Sequence, residues 1–339
     1  MSRAARRLTA LGAACLAAGA VAVGTGATRV PLADLARLLT GRGAAVPDTV
    51  RLIVLDVRIP RAMVGACVGA LLGTAGALLQ GFLRNPLAEP YLLGVSSGAA
   101  LAVTAAILLN LPLFFHGVYL LPPLAFAGAL VTLAAVYALA QVRGRIQVTT
   151  LVLAGVVVSA FLSAAIMLVA ALSSAHYFEV LSWLMGHLQP LARGTQRWLA
   201  GYAVVGLGLA LAQARDLNAL ALGEEEAAAL GVNIERAKVN LFVLSSLLTG
   251  VAVAASGLIG FVGLVAPHAA RLLVGPDHRR LLPAAAVAGA TLLLLSDAVA
   301  RTVLAPTELP VGVVTALVGG PFFLWLLVRH VRDLAGPRA

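Results

Sequence analysis

LNALALGEEEAAALGVNIER, residues 217–236, is the one strongly polar helix-forming stretch in a chain that otherwise consists almost entirely of apolar segments. The sequences on either side of it, about 198–213 and 239–256, have the composition of membrane-spanning helices. The polar stretch must therefore lie in water between two spans. It is longer than a connection in a helical bundle needs to be, so we expect a soluble partner protein to bind it.

The composition of the whole chain indicates the same solvent. Of its 339 residues, 61% are hydrophobic and 11% are charged, with a mean hydropathy of +0.99, whereas soluble domains carry about 25% charged residues. The apolar runs are continuous rather than alternating, which excludes a β-barrel. The net charge of +10 is typical of loops that meet anionic lipid, so we expect no nucleic acid partner. The chain is predicted to be an all-α polytopic membrane protein.

Hydropathy and breaker residues predict about ten membrane-spanning helices within a single domain, 1–339. The eighth, near 262–274, is too short to cross a bilayer and is predicted to be a half-helix buried among its neighbours. The predicted spans are about 8–26, 62–82, 92–109, 118–140, 148–171, 198–213, 239–256, 262–274, 281–300 and 311–328. The first resembles a secretory signal, but no convincing cleavage site follows it, so we expect it to be retained.

Basic residues predict the orientation of these spans. With a cytoplasmic N-terminus, fourteen Lys and Arg fall in inside segments and nine in outside segments. The bias favours both termini in the cytoplasm and places residues 217–236 there as well. Six of the nine outside arginines cluster in the first external loop, 27–61. That loop either contacts lipid headgroups and its own aspartates, or forms an electrostatic dock for an acidic extracytoplasmic partner.

Two motifs carry local structural information. Gly65, Gly69 and Gly73 recur every fourth residue on one helical stripe, a spacing that lets two helix backbones approach closely within lipid. In the polar stretch, three consecutive glutamates favour the first turn of a short helix, and Gly231 fits its C-terminal stop. We expect the alanines and Leu230 between them to form a compact apolar face, with a second apolar stripe on the preceding helix.

The chain resembles the permease subunits of ABC importers for iron–siderophore complexes, haem and vitamin B12, the FecCD/BtuC-like family. The resemblance covers nearly everything after residue 50. It rests on ordered words: RIPRAMVGACVGALLGTAGALLQGFLRNPLAEPYLLGVSSGAALA at 58–102, WLMGHL at 183–188, the polar stretch itself, SGLIGFVGLVAPHAARLLVGPDHRRLLP at 256–283 and ELPVGVVTALVGGPFFLWLL at 308–327.

The resemblance implies a BtuC-like type II importer fold that works as a pair of permeases, either two identical copies or two paralogues, in the bacterial cytoplasmic membrane. Two cytoplasmic ATPase subunits would bind ATP and Mg²⁺, while this chain binds no cofactor or metal and has no catalytic residue. An extracytoplasmic substrate-binding protein would deliver the cargo. The cargo expected is an iron–siderophore, with cobalamin and haem as alternatives.

The resemblance also implies two contact sites. Arginines at Arg58, Arg61 and Arg301 would meet glutamates of the binding protein, although Asp297, one helical turn before Arg301, offers that arginine an internal partner. The coupling helices, at about 215–236, would dock in a cleft of the ATPase or, alternatively, form only a solvated loop. The residues predicted for coupling are Leu217, Leu220, Gly223, Glu224, Glu225, Ala227, Leu230 and Gly231.

Two other classes of membrane protein compete with this interpretation. An ion-coupled secondary transporter also uses broken helices, but it generally needs buried acidic or polar coupling residues. Asp297 is the only carboxylate expected near the centre of a span, and it falls close to the outer end. An integral-membrane enzyme would need a convergent catalytic set, which the sequence does not contain. The ATP-driven importer is therefore the leading interpretation, with the secondary transporter as its alternative.

Overall fold

The computed structural model of the protein describes residues 3–40, 46–111, 114–115, 118–142, 145–172 and 177–335. This part of the chain is almost entirely helical. The first helices in chain order are α1 (Arg3–Gly24), α2 (Leu32–Leu39), α3 (Asp48–Leu52), a π-helical segment (Ile53–Arg58), α4 (Ile59–Phe82), a 3-10 turn (Pro90–Leu93), α5 (Val95–Leu108), α6 (Leu121–Ala140) and α7 (Val148–Leu172).

The second half of the chain continues the bundle. Its helices are α8 (Tyr177–Leu184), α9 (Arg193–Ala212), α10 (Ala214–Leu220), α11 (Glu224–Ala229), α12 (Ile234–Ser256), α13 (Val262–Val274), α14 (His278–Thr302) and α15 (Val311–Ala335). Two-residue antiparallel hairpins join neighbouring helices, β1 (Phe114–Phe115) with β2 (Val118–Tyr119) before α6, and β3 (Gln141–Val142) with β4 (Arg145–Ile146) before α7.

Each of the ten predicted spans coincides with a helix, which confirms the all-α prediction. Within the described residues, six helical segments are long and apolar enough to cross a membrane, and the total of ten spans stays a prediction. The largest difference is at the second span, predicted at 62–82, because the helix runs unbroken over Asp48–Phe82. Its first turns carry the charged residues Arg51, Asp56 and Arg58. The uniformly apolar run therefore starts only after these residues, although the helix itself begins at Asp48.

The centre of the bundle is the pair α4 and α14, which pack along each other. A Cβ atom on Gly69 would collide with the carbonyl oxygen of Gly289, and one on Gly73 would collide with the carbonyl of Ala285. Gly65 instead faces the side chain of Leu188. Small residues therefore allow backbone-to-backbone contact here, and the contact leaves little freedom for the two helices to slide.

α13 is a half-helix, as predicted, with the predicted bounds. Its thirteen residues span about 20 Å at 1.5 Å per residue, well short of a hydrocarbon core. The segment before it reverses direction through Gly257 and Phe261, both with positive φ (+70° and +67°). α13 packs against α4, where a Cβ on Gly76 would meet the carbonyl of Gly263, so its backbone is buried in protein as membrane depth requires.

α7 is the opposite case, a long apolar helix at the edge of the bundle. Only 11% of its most hydropathic window is buried, against 78% for Asp48–Phe82. Large apolar side chains such as Phe161 and Met167, each 72% exposed, cover its outer face. Such a face must meet lipid or another protein surface.

Candidate functional site

The polar stretch folds as two short helices, α10 and α11, between α9 and α12. A single residue, Gln213, separates α9 from α10, and Gly223 with φ +140° makes the turn into α11. α11 opens with three glutamates, whose charges suit the positive end of a helix. Gly231, with φ +85°, follows its C-terminus, a position that needs a left-handed residue.

The side chains of this segment divide into an inner and an outer set. Leu217, Leu220 and Ala227 are buried against the bundle, so they hold the segment in place and do not form the outward stripe expected of the two leucines. The reason is that α10 follows α9 almost without a break, which turns its apolar face inward. The outer apolar surface belongs to Leu222 and Leu230, 66% and 56% exposed, with the exposed alanines Ala221, Ala228 and Ala229.

A first polar anchor connects α10 to the start of α14. The Asn218 side chain donates to Asp277 Oδ1 at 2.8 Å and accepts from the backbone N–H of His278 at 2.9 Å. Asp277 also caps α14 by accepting from the N–H of Arg279. The hydrogen bond from Asn218, followed by that from Arg279, lowers the pKa of Asp277 below its usual range, so the carboxylate is charged at neutral pH.

A second polar anchor connects α11 to α12 and to the β3–β4 hairpin. Lys238 Nζ lies 2.7 Å from Glu224 Oε2 and 3.8 Å from Glu235 Oε1. It also donates to the carbonyl oxygen of Ile146 at 3.4 Å. The coupling segment is therefore fastened to the bundle at two separate points.

At the opposite end of the bundle, the predicted docking arginines lie in a buried network. Arg61 reaches Asp297 Oδ1 with Nη2 at 2.9 Å and Glu308 Oε2 with Nη1 at 2.7 Å. Arg301 Nε lies 3.0 Å from Asp297 Oδ2, the internal partner that the sequence spacing offered. Asp297 thus pairs with two guanidinium groups at once, Glu308 supplies the second negative charge, and the Asp297 carboxylate joins α4 to α14.

The remaining donors of these arginines cap the end of α1. Arg301 donates to the carbonyls of Ala22 and Thr25 at 2.8 and 3.2 Å. Arg58 donates to the carbonyl oxygens of residues 23, 24 and 28. Carbonyls at a helix C-terminus lack intrahelical partners and attract cations, so the arginines stabilise α1 against the bundle.

This geometry bears directly on the docking prediction. Arg58, Arg61 and Arg301 are 3%, 8% and 4% exposed, so in this conformation none presents a free guanidinium to a partner. Docking through them would require internal ion pairs or hydrogen bonds to open. Charged groups at the same end that do face solvent include Arg51, Arg193 and Arg197, of which Arg193 pairs with the exposed Asp56 at 3.1 Å.

One polar junction inside the bundle was missed by the sequence reasoning. Glu89 Oε1 accepts from the backbone N–H of Phe261 at 2.6 Å, at the N-terminus of the half-helix α13. Tyr91 OH donates to the carbonyl and accepts from the N–H of Ile259, both at 2.8 Å. Glu89 is thus a partly buried carboxylate inside the bundle, in addition to the fully buried Asp297. Its only sequence signal was its place in the NPLAEPYLLG word, which reads locally as a turn.

A cavity of about 230 Å³ opens between α5, α6, α8 and the end of α12. Its polar lining comes from Glu179, Ser182, His187, Gln189 and Ser256, and its walls are apolar. Burial lowers the pKa of His187, so the imidazole is neutral at pH 7. Among the described residues, no three potential metal ligands come together, and the cavity is too small for a large cargo in the single chain.

The fold, with six helical segments long and apolar enough to cross a membrane among the described residues, is that of a multi-pass helical membrane protein. Comparison with known proteins agrees, since the profile of the FecCD transport family matches residues 14–329. The chain belongs to the FecCD transport family, whose members include ABC-type permeases. This assignment confirms the family resemblance drawn from the ordered sequence words.

Individual relatives show how far the likeness extends. The cobalamin import system permease protein BtuC of Halobacterium salinarum is 46% identical over 290 residues, 85% of this chain and 77% of the relative. The hemin transport system permease protein HmuU of Yersinia pestis is 42% identical over 292 residues, 83% and 85% of the two chains. A solved structure described as an inward-facing metal-chelate type ABC transporter superposes with a TM-score of 0.81 at 32% identity, covering 96% of this chain and 99% of that one.

Proposed function

We propose that this chain is the membrane-spanning subunit of an ATP-driven importer, in which a separate cytoplasmic ATPase docks on α10 and α11. The observation that carries the proposal is the outer apolar surface of that segment. It exposes Leu222, in the turn between the two short anchored helices, and Leu230, directly after α11. An isolated solvated loop would need neither the ion pair nor the amide anchor. A rigid projection with an apolar tip suits a cleft in another protein.

The basic residues of the chain support an orientation with α10, α11 and both termini in the cytoplasm. In that orientation the arginine network and α8 face the outside of a bacterial cytoplasmic membrane. An extracytoplasmic binding protein would approach there, and exposed arginines such as Arg51 and Arg197 give its acidic groups a first contact. Arg58, Arg61 and Arg301 could take part only after their internal partners separate.

A second permease copy fits the exposed face of α7. The resemblance predicts that this helix and α15 line a path at the axis of a pair of permeases, and α15 likewise exposes Leu317 and Leu324. Membrane lipid covers the outer faces that remain. The second copy is either an identical chain or a paralogue.

The cargo class proposed is a large metal chelate, with an iron–siderophore first and haem or cobalamin as alternatives. The relatives above are named for cobalamin, hemin and metal chelates. The described faces of α7 and α15 are mainly apolar and carry no ion pair. Such walls suit a bulky complex that passes without tight binding.

An ion-coupled secondary transporter is the second candidate, and one observation favours it. Glu89 sits beside the broken helix α13, where such transporters place coupling sites. Both its position and its bond to Phe261 N–H are equally consistent with a cap for that half-helix, so the ATP-driven proposal stays ahead.

Reconstitution tests the proposal. The permease in proteoliposomes, with its ATPase and binding protein, should accumulate one of ferrichrome, haemin or cyanocobalamin only when ATP is present on the ATPase side. The double variant Leu222→Gln/Leu230→Gln should lose ATPase association. Leu32→Gln, at a leucine 77% exposed on α2, is the matched control and should retain it. Uptake driven by an ion gradient without the ATPase would overturn the proposal.

A further inference from the structure

The single lysine of the chain occupies an unusual place. Lys238 is the only lysine among 24 basic residues, and it lies on the second turn of α12 with 7% of its surface exposed. A buried ammonium needs charged or polar partners to offset its lost hydration. Its partners lie on three different elements, α11, α12 and β4, so the lysine connects segments that are distant in the sequence.

The geometry around Lys238 fixes the hairpin that precedes α7. Lys238 donates to the carbonyl oxygen of Ile146, and Glu235 Oε2 accepts from the N–H of the same residue at 3.0 Å. Both backbone groups of Ile146 are therefore held from α12. Only Gln147 lies between Ile146 and the first residue of α7. The hairpin and the N-terminal turn of α7 must therefore move together.

Lysine suits this position better than arginine. An ammonium is a compact charge with three donors that point in different directions. Those donors reach a carboxylate on α11, a carboxylate on α12 and a carbonyl on β4. A planar guanidinium would favour one bidentate carboxylate over three separate acceptors.

The two anchors of the coupling segment lead to mechanically different parts of the fold. Asn218 connects α10 to the start of α14, and α14 is locked to α4 by backbone contact at Gly69 and Gly289. The Lys238 anchor leads instead to α7, the thinly buried helix at the edge of the bundle. Lys238 itself lies on α12, so a push on α11 reaches α14 through one anchor, and α12 together with the start of α7 through the other.

We propose that Lys238 is the joint that passes movement of α11 to α7, through its ion pair with Glu224 and its hydrogen bond to Ile146. The inference rests on the proposed function, because it assumes that an ATPase moves α11. Lys238 is thus a positioning residue, and it touches neither nucleotide nor cargo.

The variants follow from the exposure of the partners. Lys238→Met keeps the aliphatic stem and removes the charge. Glu224 and Glu235 side chains are each 41% exposed, so water can solvate them and the fold should survive. Glu224→Gln breaks the same ion pair from the other side and leaves Lys238 paired with Glu235. Arg236→Met is the matched control, since it removes an exposed cation two residues away.

The movement is measured in the permease–ATPase complex with a spin label at Thr149→Cys, an exposed site on the first turn of α7, after Cys15 and Cys67 are replaced. Distances between the labels of the two permease copies are recorded with and without ATP, Mg²⁺ and vanadate. In the parent complex and in Arg236→Met, ATP with Mg²⁺ and vanadate should change the distance between the two labels. In Lys238→Met the shift should be lost although the ATPase still binds and hydrolyses ATP. In Glu224→Gln and in the combined variant the shift should be lost as well.

Transport gives the second readout. Cargo moved per ATP hydrolysed should fall about tenfold in Lys238→Met, within the range of coupling free energies between two sites, and the double variant should be no worse than either single one. A normal shift in Lys238→Met, or no shift in the parent complex, overturns the inference. Loss of ATPase association in every version, the parent included, would instead contradict the proposed function.

Discussion

Removal of the Asp297 carboxylate should destabilise the permease far more than removal of a surface carboxylate. Asp297 lies at contact distance from two guanidiniums, Arg61 at 2.9 Å and Arg301 at 3.0 Å, and its side chain is 2% exposed. In Asp297→Ala both cations stay buried. Arg61 would keep only Glu308, and Arg301 would keep only backbone carbonyl oxygens, at residue 297 and at the end of α1.

The expected cost follows from the burial of these groups. Removing one partner of a buried ion pair costs about 3–5 kcal/mol, because it leaves an uncompensated charge. A folded protein has a total stability of only about 5–15 kcal/mol, so the variant should approach the limit of folding. The pair Asp34–Arg37 spans 3.0 Å on one helix face, with the arginine side chain 52% and the aspartate side chain 13% exposed, and such pairs near the surface are worth about 0–1 kcal/mol. Asp34→Ala is therefore the control.

The assay heats each purified variant in detergent and measures the fraction that remains monodisperse on a size-exclusion column. Asp297→Ala should lose its monodisperse peak at a clearly lower temperature than Asp34→Ala. Asp297→Ala and Arg61→Ala together should cost less than the sum of the two, because they share one interaction. Equal midpoints for Asp297→Ala and Asp34→Ala would refute the view that this network holds the fold, and would return its arginines to the docking role.

Three further predictions concern other parts of the fold. Gly69→Ala should lower the midpoint by forcing α4 away from the Gly289 carbonyl, an overpacking cost of about 1–3 kcal/mol. Tyr91→Phe removes both hydrogen bonds to Ile259 and should cost about 1–3 kcal/mol by leaving buried backbone groups unpaired. The pKa of Asp277 is lower in the folded state than in the unfolded state, so its contribution is present above its usual pKa and is lost as pH falls through the lowered value. Amide exchange in α10 should rise over that acidic range, and Asp277→Asn should remove this pH dependence.

Matched variants control these three measurements. Gly208 has open space around it, so Gly208→Ala should leave the midpoint unchanged or raise it. Tyr202 is 55% exposed, so Tyr202→Phe should have little effect. Asp34→Asn controls the acid titration. If a control changed its readout as much as its matched variant does, the contact assigned to that variant would be discounted.

The sequence predicts the helices well because hydropathy and breaker residues act over short distances. α13 has its predicted bounds, since Gly257 and Gly275 flank an apolar run and each takes a positive φ. The start of the second span is missed because its charged residues find partners far along the chain. Arg61, for example, pairs with Asp297, 236 residues later, and no local pattern predicts such a contact.

The same distinction explains the candidate sites. The ends of α11 follow from its glutamates and glycines, but the inward direction of Leu217 and Leu220 depends on how α10 continues from α9. The Arg301–Asp297 pair is suggested by a four-residue spacing. Glu89 is missed because its partner is a backbone N–H at Phe261, and a backbone group leaves no sequence signal.

The polar contacts between distant segments show which parts of the bundle can move. Those around α4, α13 and α14 accompany direct backbone packing, as at Gly76 with Gly263, and they reinforce a unit that is already rigid. α7 has a small buried share of its own, and it packs against α5 and α6 with one close backbone contact, where a Cβ on Gly155 would meet the carbonyl of Leu92. At the α11 end its start is held through the Ile146 backbone and Lys238. Opening those polar contacts would free the start of α7, whereas moving α4 against α14 would require the backbones to separate at both Gly69 and Gly73. Movement passed on from α11 should therefore appear at the start of α7.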